Sequence, residues 1–213
     1  ILRHRQLCIR DSNDSSFLNW TYLQQPRDYS GEDTLVQFFG EGSFNMLPVT
    51  VKEANVTYDS QLLNDTLYTA SWAGGLRRYY INAGFWENIP MPMDSQDSLS
   101  TCEGFVDDGL GRKIKQGYYL NPRDPSDGGN HNHKVFSVYT EFYNDQMYVW
   151  AGTADGVNRG IIDDNGCIDW IHYTTFDGLG GNWIIDIVPQ YLNNSEFPRI
   201  WFCLLYTSDA ADE

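Results

Sequence analysis

The chain has 213 residues, a formal net charge of −15 and 15% aromatic residues. So negative a surface repels phosphate backbones and anionic lipid, which excludes a nucleic-acid binder or a membrane-surface protein. No apolar run approaches the ~20 residues needed to cross a bilayer, and the aromatic content excludes a disordered acidic tail.

In chain order, residues 3–9 alternate and read as a strand, residues 11–16 as a turn, and residues 17–24, carrying Trp20, as a second strand. Residues 25–54 read as a connection broken by Pro26 and Gly31, with a short extended piece at 47–51. Four alternating runs follow, at 55–62, 66–72, 76–81 and 85–90. A second long connection, 91–133, holds Gly104, Gly109, Gly111 and the run NPRDPSDGGNHNH. Then come runs at 134–142, 147–153, 157–162 and 168–175, the loop FDGLGGN, and runs at 183–188 and 199–202.

These runs repeat. LYTASWAGGLRR, 67–78, returns as YVWAGTADGVNRG, 148–160. An offset of 81 pairs Gly75 with Gly156 and Arg78 with Arg159, and sets Ala70, Ser71 and Trp72 against Ala151, Gly152 and Thr153. Each copy is a strand, a small-residue turn in which glycine supplies positive φ, and a second strand. Trp20, Trp86 and Trp170 form a matching series. An indole at one point of every repeat suits a wedge between neighbouring sheets, each too small to bury its faces alone. The expected fold is all-β: a partial β-propeller of four-stranded antiparallel blades. Two whole blades, 55–90 and 134–175, are flanked by half blades, 1–24 and 182–202. The remainder of the propeller is required to cover the end blades.

The last eleven residues, CLLYTSDAADE, break the strand pattern. They resemble a translated sequencing adaptor and are set aside from fold and function, as befits an open reading frame clipped at both ends.

VWAGTADGVNRG, DWIHYTTFDGLGGNWIIDI and RIWF together resemble the two-component regulator propeller repeat. Its Trp-Gly-Thr strand is matched by Trp150, Gly152 and Thr153, and its Asp-Gly-Leu loop by Asp177, Gly178 and Leu179. The match is specific over 147–202 and looser elsewhere, since TASW replaces WAGT in the earlier copy. The resemblance implies an extracytoplasmic, periplasmic or secreted, binding or sensing module, non-catalytic and without a cofactor. Its partner would be a small ligand, a glycan or a protein. A second likeness, of the turns at Asp14, Asn82 and Asp164 to Asp-box turns of sialidase-type propellers, would imply a glycan hydrolase. Such a turn needs only a short acceptor and a glycine, and Arg77, Arg78 and Arg159 occupy equivalent repeat positions instead of forming a carboxylate-binding cluster. An architectural role in a longer surface protein is the third reading.

Connectivity places the functional rim. In an up-and-down blade, the turn between second and third strands and the link to the next blade lie at one end of the sheet. Both long connections therefore project from one rim, and their length exceeds the ~12–15 residues usual for a loop in a compact domain. The expected contact residues are Asn121, Asp124, Asp127, His131 and His133. His131 and His133, alternating along an extended segment, could face a metal together; the letters HNH alone do not make a nuclease. Asp163, Asp164 and Asn165 lack an EF-hand's closing glutamate and read as a hairpin tip. The cysteines Cys8, Cys102 and Cys167 have no CxxC spacing and do not read as a structural zinc site. The sequons at Asn19, Asn55 and Asn64 matter only in a eukaryotic secretory protein.

Overall fold

The computed structural model of the protein describes residues 7–10, 21–24, 34–39, 43–48, 57–72, 74–94, 96–107, 113–114, 131–192 and 198–205. Trp20 and the Asp14 turn lie outside them. The architecture is all-β, and no α-helix occurs among the described residues.

Two hairpins come first. Strands β1 (Leu7–Arg10) and β2 (Thr21–Gln24) pair antiparallel, as the alternation predicts. Strands β3 (Thr34–Phe39) and β4 (Ser43–Pro48) pair likewise. They correct the reading of 25–54 as a connection with one short extended piece. TLVQFF and SFNMLP are rich in the β-branched and aromatic residues that suit a pleated surface, and the breakers Pro26 and Gly31 lie before them.

The first large sheet runs in chain order through β5 (Thr57–Leu63), β6 (Thr66–Ser71), β7 (Gly75–Tyr80) and β8 (Phe85–Ile89). All its neighbours are antiparallel, as the four alternating runs predict. The 91–133 connection contributes β9 (Ser98–Ser100) and a short pair, β10 (Val106–Asp107) with β11 (Lys113–Ile114). The second sheet orders β12 (Val135–Tyr143), β13 (Gln146–Thr153), β14 (Gly156–Ile162), β15 (Ile168–Tyr173) and then β9, which joins its far edge. It therefore has five strands where the sequence suggests four. Asn144 and Asp145, both with positive φ, close the tight β12–β13 turn. The third sheet is β16 (Ile184–Gln190) with β17 (Arg199–Leu204). β17 runs through Cys203 and Leu204, opposite Asp186 and Ile184, so the strand passes the expected break at 203.

Both faces of the second sheet are covered. Side chains alternate along a strand, so neighbours enter different cores. Val138, Val149, Ala151, Ile162, Ile168 and Trp170 pack toward Tyr68, Ala70, Leu76 and Ile89 of the first sheet. Tyr139, Val157, Trp150 and Tyr173 pack toward Ile184, Ile187 and Phe202 of the third. The sheets approach most closely through their first strands, β5, β12 and β16.

Several residues of the two related segments occupy the same rung of their sheets, with one slip. Trp86 lies opposite Tyr79 and Trp170 opposite Gly160, the same rung in each sheet. Gly160 leaves room for the larger burial: a Cβ there would lie 2.8 Å from the Trp170 ring, and the Trp170 indole Nε1–H donates to Pro90 O at 2.8 Å. Gly75 and Gly156 both open the third strand with positive φ. On the second strand, however, Ser71 faces Gly75 as Thr153 faces Gly156. The Ser71 hydroxyl accepts from Gly74 N, and the Thr153 hydroxyl from Asp155 N. Ser71 is therefore the counterpart of Thr153, and Trp72 belongs to a longer turn with no equivalent in the second copy.

Candidate functional site

The three first strands share one irregularity. Pairing jumps a residue between Thr57 and Asp59, between Val135 and Ser137, and between Ile184 and Asp186. A bulge of this kind leaves one residue out of the ladder and re-aims its side chain; here those residues are Tyr58, Phe136 and Ile185. Next to the last bulge stands Trp183, and at the tip of the β6–β7 turn stands Trp72.

Four of these rings meet across sheet boundaries. Phe136 contacts Tyr58 at 5.6 Å, Trp72 at 5.4 Å and Trp183 at 5.9 Å between ring centroids, and Trp72 and Trp183 are 6.3 Å apart. Those separations and tilted geometries are the favourable ones for aromatic pairs. Tyr58 is 52% exposed and Trp183 38%, so the cluster has an open face. Lys134 places its ammonium 5.6 Å from the Trp72 ring centre, within cation–π range.

A second group of residues, around Asn132, forms a buried polar network. Asn132, fully buried, donates through Nδ2 to Pro92 O at 2.8 Å and Asn158 Oδ1 at 3.0 Å. Its Oδ1 accepts from Asn158 Nδ2 at 2.6 Å and Thr153 Oγ1 at 2.9 Å. The Asp94 carboxylate accepts the backbone N–H groups of His131 and Asn132, both at 2.8 Å. His172, also buried, sets Nε2 2.5 Å from Asp155 O and Nδ1 3.1 Å from Gln96 O. Burial, with Asp94 adding repulsion, raises the Asp155 carboxyl above the ordinary carboxylate range. The mutual hydrogen bonds of Asn132, Asn158 and Thr153 fix one arrangement of the segments they join.

The expected contact residues divide. Asn121, Asp124 and Asp127 lie outside the described residues. The HNH segment is a 3₁₀ turn, His131–His133, and not the extended piece that would set two imidazoles side by side. His131 faces outward with Nδ1 3.3 Å from Asp94 Oδ2, whereas His133 is 1% exposed with Nε2 3.1 Å from Met91 O. His133 is therefore a core histidine, whereas His131 keeps a partly exposed side chain. The residue sequence reasoning passed over is the one between them, Asn132.

The turn residues also shift. Asp163, not Asp164, closes the β14–β15 turn, its Oδ1 accepting from Asn165 N and Cys167 N. Asn82 donates to Asp65 Oδ2 at 2.7 Å where an Asp-box side chain would accept. The Asp177-Gly178-Leu179 loop is structural: Asp177 and Thr174 form a capping box, Gly178 takes the left-handed conformation and Leu179 packs into the core. The arginines do not converge. Arg78 Nε meets Glu87 Oε2 at 2.7 Å and its guanidinium reaches Gly166 O at 2.6 Å, Arg77 Nε donates to Asn88, and Arg159 lies over Tyr173. Among the described residues one group brings three metal-ligand atoms within 4.8 Å of one another: Cys102, Asp163 and Cys167. No described helix is long and apolar enough to cross a membrane.

Comparison with known proteins finds no matching family model and no matching curated protein.

Proposed function

We propose that the four- and five-stranded sheets are successive whole blades of a β-propeller and the β16–β17 pair half of the next, and that the module binds a ligand outside the cytoplasm without acting on it chemically. Supporting the propeller are the chain-order meanders, the first strands drawn closest together, the bulge shared by those strands, and the regulator-propeller likeness of 147–202. In such an arrangement the first strands line the central channel, and Tyr58, Phe136 and Trp183 stand at its mouth.

The observation that carries the binding reading is the open face of the Tyr58–Phe136–Trp72–Trp183 cluster, with the Lys134 ammonium beside the Trp72 ring. Flat aromatic faces with a few fixed polar groups make a recognition surface, and they suit the apolar face of a sugar ring. Arginines held in place between strands and sheets give no support to a carboxylate-clamping hydrolase. Titration of the complete protein with a panel of neutral oligosaccharides, followed by tryptophan fluorescence, should find a saturable ligand. Binding should fall at least tenfold in Trp183→Ala and Tyr58→Ala, and the oligosaccharide should be recovered intact. Saturable binding indifferent to both substitutions would move the site elsewhere. Cleavage of the oligosaccharide would favour the hydrolase, and no binding at all the architectural role.

A further inference from the structure

At the end of the second sheet opposite the aromatic cluster, β9 is held to β15 by a short antiparallel ladder that pairs Ser98 with Ile171, Leu99 with Trp170 and Ser100 with Asp169. Thr101 N–H donates to Ile168 O at 2.9 Å, and His172 N–H to Asp97 O at 2.8 Å. The register thus continues one rung each way. One rung further sets Cys102 directly against Cys167. Hydrogen-bonded and non-hydrogen-bonded rungs alternate in an antiparallel pair. Since Thr101 with Ile168 is a hydrogen-bonded rung, Cys102 with Cys167 is a non-hydrogen-bonded one, where opposed Cα atoms stand ~4.5 Å apart and side chains are closest. That spacing lies inside the Cα range of a disulfide. The two sulfurs are within 4.8 Å of each other, with Cys102 exposed and Cys167 half-buried.

We propose that Cys102 and Cys167 form a cross-strand disulfide that clips β9 to the sheet. The neighbouring Asp163 does not turn the pair into a metal site. Its Oδ1 accepts two backbone N–H groups at 2.9 and 2.8 Å and so closes the turn that presents Cys167. Its other oxygen, Oδ2, accepts from the Cys102 S–H at 3.9 Å, so both oxygens are engaged. The oxidant is a low-molecular-weight disulfide. The exposed Cys102 thiolate attacks one of its sulfurs, forming a mixed disulfide and expelling one thiol. The Cys167 thiolate then attacks the Cys102 sulfur, forming the intramolecular bond and expelling the second. Two protons pass from the cysteines to the two released thiols, and two electrons reduce the oxidant.

The test uses the complete protein incubated with oxidised glutathione in native buffer, alkylated, and mapped by mass spectrometry without reduction. The expected result is one dominant linked peptide pair, Cys102 with Cys167, two hydrogens lighter than the free thiols, and scrambled pairing when the same reaction is run in urea. Because the bond closes a loop of about 65 residues, the oxidised protein should melt roughly 5–10 °C above the reduced one, and Cys102→Ser should abolish that difference. A control variant carries Ser100→Cys and Asp169→Cys, the next non-hydrogen-bonded rung, with Cys102→Ser and Cys167→Ser. If the control links and the native pair stays free, the proposal is overturned. If neither links, β9 is not docked in this register and the proposal falls with it. Stoichiometric zinc retained by the reduced protein and lost in Asp163→Asn would replace the disulfide by a metal site.

Discussion

Asn132 and Asn158, 26 residues apart in sequence, bind each other reciprocally: each donates its amide to the other's oxygen, at 3.0 and 2.6 Å, in a site sealed from water. The pair fastens the end of the long 91–133 segment to the third strand of the second sheet. Asn132 has no spare group for a ligand, since its amide makes two donor and two acceptor bonds.

Replacing Asn132 by alanine should therefore cost more than replacing Asn158. Asn132→Ala strips partners from Pro92, Thr153 and both ends of Asn158, whereas Asn158→Ala leaves Asn132 bonded to Pro92 and Thr153. At ~1–3 kcal/mol for each buried group left unsatisfied, we expect about 3–5 kcal/mol for the first and about 2–3 for the second. Denaturant unfolding of the complete protein measures both; equal and small losses would mean that water takes the vacant places. For the same reason, exchanging 121–133 for a flexible linker should lower the thermal transition.

Gly152→Ala should loosen the second sheet from the third. A Cβ there would stand 2.3 Å from Ser137 Oγ and 2.8 Å from Ile184 O, and backbone cannot step aside as a rotamer can. A loss of about 1–3 kcal/mol is expected. Trimming Ser137 to glycine should not restore stability, since the Ile184 carbonyl remains; full recovery would place the strain on Ser137 alone.

Glu87→Gln should destabilise by about 2–4 kcal/mol, because it leaves the buried Arg78 charge without its counter-ion, with Gly166 O and the Tyr80 ring among its remaining neighbours. A double variant, Arg78→Met with Glu87→Leu, should recover much of that loss. If the double variant is worse than Glu87→Gln alone, the pair stabilises beyond its own neutralisation.

Asp155 gives stability a pH dependence of defined sign. Its folded carboxyl is raised by burial and by Asp94, with His172 and His131 pulling the other way and Asn182 donating to it. The native state therefore binds the proton more tightly than the unfolded chain, and the contribution is full below the ordinary carboxylate value and lost as pH rises through the raised one. Asp155→Asn should flatten that decline, costing less at pH 7 than at pH 4. A parallel offset at both values would show the carboxylate to be uncoupled from folding.

Much of the fold was legible because period-two alternation and glycine turns are local signals. The four runs between 55 and 90 pair as they read, and Gly75 and Gly156 mark the same corner. Pairing at a distance was not legible. Nothing in SLS announces a strand that joins Ile168–Tyr173 some seventy residues on, and an offset of 81 hid the extra turn residue that shifts Trp72 out of register. The ring cluster and the polar network were not legible. Histidines drew attention at 131 and 133, yet the segment coils into a 3₁₀ turn that buries the second, and the asparagine between them does the fastening. The ring cluster was invisible because a bulge turns Tyr58 and Phe136 out of an alternation that reads unbroken in sequence.

The position of β9 also orders the assembly of the chain in time. Each large sheet is otherwise a meander of consecutive strands, closed by short loops as soon as its own residues emerge from the ribosome, so contacts form nearby and early. β9 emerges before its sheet exists and pairs with β15, the last strand of that sheet to be made. It must wait, and as a three-residue edge it is the first part of the sheet to open again. Amide hydrogens of Leu99 and Thr101 should accordingly exchange faster than those of Val149 and Ala151, so the second sheet has an early centre and a late, reversible margin.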